Sequence, residues 1–231
     1  MGKMIREQFT HSKTDSVVVI GLGRFGSAVA QSLVRLGHDV MGIDSDEARV
    51  QAWSEVMTHA VRCDSTKTNV MRQLGVGDFD HAIVGIGSDL AASLMTIVTL
   101  MELGIKDIWV KATSVEHGLI AKRIGANHVV YPEAAMGERV AHLITGQMMD
   151  FIEFEDGFAI AKIRAPTSMH NRSLAEAGMQ QEYGVTVVGV KHANEDFQHA
   201  TPAVRLLAGD LLIVSGPTGR IEEFAGRPRK G

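Results

Sequence analysis

The chain has 231 residues, 45% hydrophobic and 22% charged, an ordinary composition for a soluble globular protein with room for one large or two modest domains. A formal net charge of −4 gives no electrostatic reason to expect a nucleic-acid partner. The single cysteine, Cys63, excludes an internal disulfide and favours a reducing cytosol, and the first residues lack the apolar core of a signal peptide.

Strand-like and helical segments alternate after a polar tail at residues 1–15. Strands are predicted at Ser16–Gly21, Asp39–Asp44, His59–Arg62, His81–Ile86, Asp107–Lys111 and His128–Tyr131. Helices are predicted between them at Arg24–Leu36, Asp46–Glu55, Lys67–Leu74, Leu90–Leu103 and Val115–Ile124. This alternation predicts an α/β fold of the Rossmann type over residues 16–133, with a doubly wound parallel sheet covered by helices on both faces.

The fourth of these helices belongs to the longest apolar run, Leu90–Gly104. The run is shorter than the roughly 20 residues that span a bilayer, and serine and threonine interrupt it. We therefore expect a helix that is buried on most faces, partly in a dimer interface.

The regular alternation of strand-like and helical segments ends at Pro132. Apolar residues at helical spacing predict a long connecting helix across residues 134–150: Met136, Val140, Leu143, Ile144 and Met148. Beyond it, strand patterns separated by Gly and Asp turns, with helical pieces near Ser173–Gln181 and Thr218–Phe224, predict a small α+β domain at residues 151–227.

A glycine fingerprint follows the first strand. Gly21, Gly23 and Gly26 have G-x-G-x-x-G spacing around Arg24 and Phe25, and Asp44 closes the second strand. In such turns the glycines allow a tight turn, close approach of backbone to phosphate and close helix packing, while the acidic residue binds ribose hydroxyls. The alternative is a glycine turn followed by an unrelated aspartate.

Two further strand ends reach the same edge of the predicted sheet. Asp64 and Ser65 follow the third strand, where they could accept a hydrogen bond from an adenine amine, or could simply cap the next helix. Ile86 and Gly87 lie in the small-residue segment Gly85–Asp89 after the fourth strand, which is either a second backbone approach to the nucleotide or a loop with a helix cap.

Arg24 and Glu133 suggest a ligand more anionic than a dinucleotide. A guanidinium at the phosphate-binding turn suits a triphosphate, although a solvated arginine in a first helical turn is the simpler interpretation. Glu133 begins the connecting helix, where a carboxylate facing a polyphosphate needs a cation between them or merely satisfies the helix dipole.

Motifs typical of other chemistry are missing. The sequence has no C-x-x-C, H-E-x-x-H, G-x-S-x-G or Walker motif, and the second domain leaves little room for a dehydrogenase substrate site. His117 is the one histidine worth testing as an acid or base, and we expect it instead on a helix surface.

These motifs together resemble the RCK (regulator of conductance of potassium) family, especially the cytosolic gating subunits of bacterial Ktr potassium uptake systems. The resemblance covers Val17 to Phe224 and rests on these segments: VIGLGRFG, AIVGIG, IWVKA, IGANHVVYPE, YGVTVVGVKH and AGDLLIVSG. Many relatives have histidine where this chain has Tyr131, a departure that keeps the following Pro-Glu.

The resemblance implies a non-enzymatic regulatory subunit that binds ATP or ADP. Arg24 would contact the γ-phosphate, Asp44 the ribose and Asp64 with Ser65 the adenine, while Lys111 would lie near the phosphates. Glu133 would hold Mg²⁺, Ca²⁺ or Na⁺ as a metal ligand.

The resemblance also implies an assembly and a place in the cell. Dimers would build an octameric ring at the inner face of the membrane, docked on a membrane-embedded potassium-translocating subunit of the Ktr or Trk kind. Cyclic di-AMP is a further ligand that the C-terminal domain would bind. An NAD(H)-binding regulator of the Trk type and a small NAD-dependent oxidoreductase remain as alternatives.

Overall fold

The computed structural model describes residues 15–144, 148–154 and 156–226. The chain divides into two compact units, Met1–Glu133 and Ala134–Gly231. Every helix within the described residues is too short or too polar to cross a bilayer.

The first unit is built on a six-stranded parallel sheet with strand order β3-β2-β1-β4-β5-β6. Its strands are β1 (Ser16–Ile20), β2 (Asp39–Asp44), β3 (His59–Arg62), β4 (His81–Val84), β5 (Asp107–Lys111) and β6 (His128–Val130). The connecting helices are α1 (Arg24–Arg35), α2 (Glu47–Trp53), α3 (Thr68–Gln73), α4 (Leu90–Glu102) and α5 (Val115–Ile124). The chain order reverses direction between β1 and β4, so the predicted doubly wound Rossmann fold is confirmed.

Two apolar clusters cover the two faces of this sheet, so its central strand β1 is buried on both sides. Val18, Ile20 and Val84 belong to the cluster that also contains Ile97 and Leu100 of α4. Val17 and Val19 point to the other face, toward Ala30 of α1. This alternation explains why the strands form a continuous apolar run in the sequence.

Helix α4 differs from its prediction. It buries a polar stripe formed by Ser93, Thr96 and Thr99, whereas Met95 and Met101 are exposed. Hydroxyl hydrogen bonds to neighbouring segments make the polar stripe tolerable in the interior. Burial of the exposed apolar side chains of α4 in a dimer interface stays a prediction.

Helix α6 (Pro132–Ile144) is shorter than the predicted connecting helix. Residues 145–147 and the side chain of Leu143 lie outside the described residues. Met148 is buried in the core of the second unit, and Met149 N–H donates to Lys162 O at 2.7 Å. A strand begins at Asp150, so the prediction of helix up to residue 150 is wrong at its end, because these residues pair with a strand instead.

The second unit contains a five-stranded antiparallel sheet with strand order β10-β9-β11-β8-β7. The strands are β7 (Asp150–Glu153), β8 (Phe158–Arg164), β9 (Thr186–Lys191), β10 (Gln198–His199) and β11 (Leu211–Pro217). Its helices are α7 (Leu174–Ala177), α8 (Met179–Tyr183) and α9 (Thr218–Ala225). The helix predicted at Ser173–Gln181 is broken because Gly178 is left-handed, with φ of 57°.

Candidate functional site

A cavity of about 870 Å³ opens where the carboxyl ends of the first five strands meet. In an open parallel sheet this is the place where ligands bind, and the volume suits a nucleotide. All the site residues predicted from the sequence line the cavity except Gly26. The cavity lies entirely within the first unit.

The glycine turn brings the backbone of β1 and α1 into close contact. Gly21 has φ of +92°, a conformation that favours glycine, and its N–H donates to Ile43 O at 2.7 Å. A methyl group at Gly26 would overlap the carbonyl oxygen of Gly21. Gly26 therefore acts behind the cavity wall, by allowing the helix to pack against the turn.

Asp44 fixes this turn from the neighbouring strand. Its buried carboxylate accepts the Leu22 N–H at Oδ2 (2.7 Å) and the Asp46 N–H at Oδ1 (2.9 Å). Arg49 Nη1 lies 3.4 Å from the same Oδ2. Each carboxylate oxygen accepts about two hydrogen bonds, so one acceptor position on Oδ1 remains unused among the described residues.

Arg49 was not predicted from the sequence, yet it lines the cavity. Its guanidinium lies between Asp44 and Asp46, with Nε 3.5 Å from Asp46 Oδ2, and its side chain is 51% exposed. Asp46 caps α2 by accepting the Ala48 N–H, which places Arg49 one turn later on the same side. The i,i+3 spacing of Asp46 and Arg49 was the available signal.

Arg24 is the first residue of α1 and is exposed beside the glycine turn. Among the described residues its guanidinium forms neither a hydrogen bond nor an ion pair, and its charge helps to lower the pKa of Glu133. Gly23 is the N-cap and provides no side-chain hydrogen bond to the helix. Arg24, Phe25 and Ser27 line the cavity, so the first turn of α1 borders the region where the sequence predicts an anion.

Lys111 and Glu133 form an ion pair at the far side of the cavity. Lys111 Nζ lies 2.5 Å from Glu133 Oε1 and 6.0 Å from the centroid of the Phe25 ring. The Lys111 side chain is 13% exposed, whereas that of Glu133 is 65% exposed. The hydrogen bond from Lys111, helped by the charges of Lys111 and Arg24, holds the pKa of Glu133 below its usual range.

The segment after β3 lines the cavity without capping α3. Asp64 Oδ1 accepts hydrogen bonds from the Thr66 N–H and hydroxyl, which lower the pKa of Asp64, while the N-cap residue is Lys67. Ser65 is buried and its hydroxyl is 2.8 Å from Thr96 Oγ1. The capping alternative for Asp64 and Ser65 is therefore wrong.

The segment after β4 contains the predicted helix cap, and its approach to a nucleotide stays a prediction. Gly85, Ile86 and Gly87 line the cavity, and Asp89 also caps α4 by accepting the Ala92 N–H at 2.9 Å.

Cys63 is half-buried in the cavity wall, 3.8 Å from Met71 Sδ. Burial and the neighbouring Asp64 raise the pKa of its thiol.

His117 lies in the interior, so the expectation of a surface helix position is wrong. It is 2% exposed, and burial lowers its pKa. The apolar spacing of α5 did not predict the burial of His117. A polar ring is tolerated in the interior here because its two nitrogens are hydrogen-bonded to Ser93 and Thr113.

A second cavity, about 340 Å³, lies in the second unit and is lined by the segments that resemble the cyclic di-AMP region. Its lining residues are Leu174, Ala175, Gly178, Met179, Gln180, Gln181, Val185, Thr186, Val187, Ala200, Thr201 and Pro202. None of them is basic. This cavity thus brings no cation of its own to the two phosphates of a cyclic dinucleotide.

Within the described residues, no group of three or more His, Cys, Asp or Glu side chains is arranged to hold a metal ion. Glu133 is a single carboxylate, so a cation there would need further oxygen ligands, such as phosphates and water.

Comparison with known proteins identifies both units. Residues 17–132 match the TrkA-N domain and residues 158–227 match the TrkA-C domain. The chain is 32% identical to Ktr system potassium uptake protein A of Bacillus subtilis over 225 residues, covering 97% of this chain and 98% of that protein. It is 35% identical to Ktr system potassium uptake protein C of the same organism over 210 residues, 90% of this chain and 95% of that protein.

Solved structures share the fold. The GsuK RCK domain aligns with a TM-score of 0.52 and 20% identity, over 92% of this chain and 46% of that one. The GsuK channel bound to NAD aligns with a TM-score of 0.51 and 22% identity, over 92% of this chain and 38% of that one. The present chain therefore spans less than half of either molecule.

Proposed function

The chain belongs to the family in which a TrkA-N domain is followed by a TrkA-C domain, and from this premise we propose that it is the nucleotide-binding regulatory subunit of a potassium uptake system. Two relatives that match along nearly their full length are Ktr system potassium uptake proteins. Its partner is then a membrane-embedded potassium-translocating subunit. In this proposal the present chain binds that subunit at the inner face of the membrane.

The observation that carries the ligand assignment is the pairing of a preformed glycine turn with three cationic side chains around one cavity. Arg24, Arg49 and Lys111 all line it. The turn's backbone is suited to a diphosphate, and Arg24 adds a donor beyond it that suits a γ-phosphate. We assign ATP and ADP as the ligands, with NAD(H) as the alternative that experiment must separate.

A cation completes the proposed ATP state. Glu133 is largely exposed, so its free oxygen is accessible to Mg²⁺, Ca²⁺ or Na⁺ shared with phosphate. The ion pair with Lys111 has to open or shift when this happens, because one carboxylate cannot satisfy both partners fully. ADP, which lacks the γ-phosphate, leaves the ion pair intact.

Regulation follows from a difference in affinity between two shapes of the assembly. A ligand shifts a conformational equilibrium only by its differential affinity for the two states. The γ-phosphate held by Arg24 and a cation held by Glu133 provide that difference between ATP and ADP, so no reaction on the nucleotide is required. The proposed assembly is a ring of eight chains built from dimers.

Titration of the purified full chain tests the ligand. Thermal unfolding is followed with ATP, ADP, NAD, NADH and cyclic di-AMP, each with and without Mg²⁺. We expect ATP and ADP to raise the unfolding temperature of the protein, and Mg²⁺ to raise it further with ATP. A shift with NADH alone would favour the Trk-type alternative, and hydride transfer from NADH to any substrate would favour the oxidoreductase.

Alkylation of Cys63 reports whether the first cavity is occupied, because Cys63 is the one cysteine in the chain and lines this cavity. Its pKa is raised, so alkylation with a maleimide is carried out slowly at about pH 9. ADP should protect Cys63 from alkylation. Cyclic di-AMP bound in the second unit should give a thermal shift without protection, which makes the two sites distinguishable.

A further inference from the structure

His117 lies directly behind the wall of the nucleotide cavity and is hydrogen-bonded on both sides of its ring. It is the third residue of α5, and the Thr113 N–H donates to its Nδ1 at 3.3 Å. Because Nδ1 accepts, the neutral ring carries its proton on Nε2, which lies 3.2 Å from Ser93 Oγ. The ring therefore links the segment after β5 to helix α4.

Both linked segments form the cavity wall. Thr113 lines the cavity, and its Cγ2 lies 3.3 Å from the position of a Cβ atom built on Gly87. Ala92, the neighbour of Ser93 on α4, lines the cavity as well. His117 itself is absent from the lining, so it acts on the site through Thr113 and α4.

The protonation state of the ring determines whether this link exists. An imidazolium has no acceptor for the Thr113 N–H and would place a charge in a buried position. The elements packed against α5 are α4, β5 and β6. The titratable groups on these elements, at their ends and on α5 itself are Asp89, Glu102, Lys106, Asp107, Lys111, Glu116, Lys122, Arg123, His128, Tyr131 and Glu133.

None of these groups forms an ion pair or a hydrogen bond with the His117 ring among the described contacts, and burial is the one cause of its lowered pKa. The imidazolium thus finds no compensating carboxylate. Thr113 Oγ1 lies 3.4 Å from the same Nδ1 and can accept from the imidazolium, but the Thr113 N–H at 3.3 Å then faces a second donor, so acidification weakens the link between the Thr113 segment and α4.

We propose that His117 is a positioning residue of the nucleotide site, whose neutral imidazole holds the Thr113 segment against α4 and whose protonation weakens nucleotide binding. This inference rests on the proposed nucleotide-binding function. It makes the occupancy of the site, and with it the regulated ion flux, dependent on the pH around the protein.

The experiment compares the ADP affinity of the wild-type chain, His117→Asn and His117→Phe between pH 8.0 and pH 5.5 by calorimetry. The Oδ1 atom of asparagine replaces the Nδ1 acceptor without titrating, whereas phenylalanine fills the space and removes the acceptor. His59→Asn is the matched control, since His59 is exposed at the start of β3, at the opposite edge of the sheet. ADP protonation affects all four chains equally, so the comparison isolates the protein.

At pH 8.0 we expect His117→Phe to bind ADP about three- to tenfold more weakly than wild type, which is the range for one hydrogen bond between neutral groups, and His117→Asn to recover most of this loss. As the pH falls toward 5.5 the wild type should progressively lose more affinity than His117→Asn does, and His59→Asn should follow the wild type. Equal pH profiles for wild type and His117→Asn would overturn the inference.

An unchanged ADP affinity of folded His117→Phe at pH 8.0 would overturn it as well. If His117→Phe does not fold, the profiles of wild type and His117→Asn still decide the question. A wild-type chain that binds no nucleotide at pH 8.0 would instead reject the proposed function itself, which is a distinguishable result.

Discussion

The carboxylate of Glu133 lies 2.5 Å from the ammonium group of Lys111, so the residue assigned to a bridging cation already has a cationic partner within its own chain. A cation and Lys111 then compete for Glu133. In the proposed ATP state we expect the phosphates to decide this competition, because a triphosphate provides oxygen ligands that favour the metal and an alternative partner for Lys111.

Glu133→Gln tests this competition. We expect the thermal stabilisation that Mg²⁺ adds to the ATP complex to be lost, because glutamine is a weaker metal ligand, while ADP binding changes little. The measurement is the Tm with each nucleotide with and without Mg²⁺. Glu138→Gln, further along α6, is the control. A wild-type Mg²⁺ increment in Glu133→Gln would reduce Glu133 to a partner of Lys111.

Arg24→Ala should weaken ATP and spare ADP. The guanidinium is exposed beside the turn, and it can donate to a γ-phosphate that ADP lacks. Loss of a charged hydrogen-bond partner corresponds to about 1.5–3 kcal/mol, or roughly 10- to 150-fold in Kd. Calorimetry with both nucleotides measures this, and Arg35→Ala at the end of the same helix serves as the control. An equal loss for ATP and ADP would show that Arg24 serves the diphosphate or the fold.

Asp44→Ala should affect both binding and stability. It removes a ribose partner, so ATP, ADP and NAD should all weaken, and it leaves the Leu22 and Asp46 N–H groups without their acceptor. An unpaired buried donor costs about 1–3 kcal/mol in the free energy of unfolding. Urea unfolding without ligand measures this cost. Asp46→Ala, which removes the helix cap and the contact with Arg49 but keeps the Asp44 acceptors, is the comparison. A loss confined to ATP would contradict the ribose assignment.

Asp107 predicts a pH dependence of stability in the first unit. Burial alone would raise its pKa, but hydrogen bonds from His81 and Trp109 and the charges of His128 and His81 outweigh burial and lower it. The folded state therefore binds fewer protons than the unfolded state, and the stabilisation is present above the ordinary pKa of about 3.9 and is lost as the pH falls below it.

Asp107→Asn should thus unfold more easily at pH 7 than wild type and show a shallower loss of stability between about pH 5 and 2. Urea unfolding across this range is the measurement, with exposed Asp196→Asn as the control. Parallel curves for Asp107→Asn and wild type would show that Asp107 contributes nothing to acid sensitivity.

The exposed apolar side chains of α6 predict that the chain is not a stable monomer. Met136, Val140 and Ile144 are all exposed, and Ile144 is 80% exposed. Apolar surface of this kind marks an interface. Light scattering should give a mass well above 25.0 kDa at micromolar concentration, and Met136→Lys with Val140→Lys should lower it, whereas Glu138→Lys should not. A monomeric mass for the wild type would exclude the proposed ring.

Local patterns allowed much of the fold to be predicted. The apolar strand runs and the glycine turn determine β1, β2, β5 and α5 to within a residue or two, because burial on both faces leaves a continuous signal. The end of α6 was not predictable from helical spacing, because the apolar residue Met148 fits a helix as well as a core position before a strand.

The site was harder to predict where a residue works through tertiary contacts. Arg49 faces the cavity because its helix is capped by Asp46 and its guanidinium contacts Asp44. His117 can be buried because the Ser93 hydroxyl and the Thr113 N–H form hydrogen bonds with its ring nitrogens. Neither environment leaves a periodic signal in the sequence. Residues at strand ends, such as Asp64 and Gly87, were predictable because all parallel strands end at one edge.

The hydrogen bond from Leu22 to Asp44 holds the glycine turn in place before any nucleotide arrives. Binding of the proposed diphosphate ligand therefore needs little free energy to order the turn. Its contacts with the turn then contribute almost fully to the binding free energy. In the proposed function the choice among ligands is left to side chains such as that of Arg24, which forms no hydrogen bond to the turn among the described residues. In the course of evolution, such a site can change its preferred nucleotide by substitution at positions like Arg24 while the fold that receives the ligand stays the same.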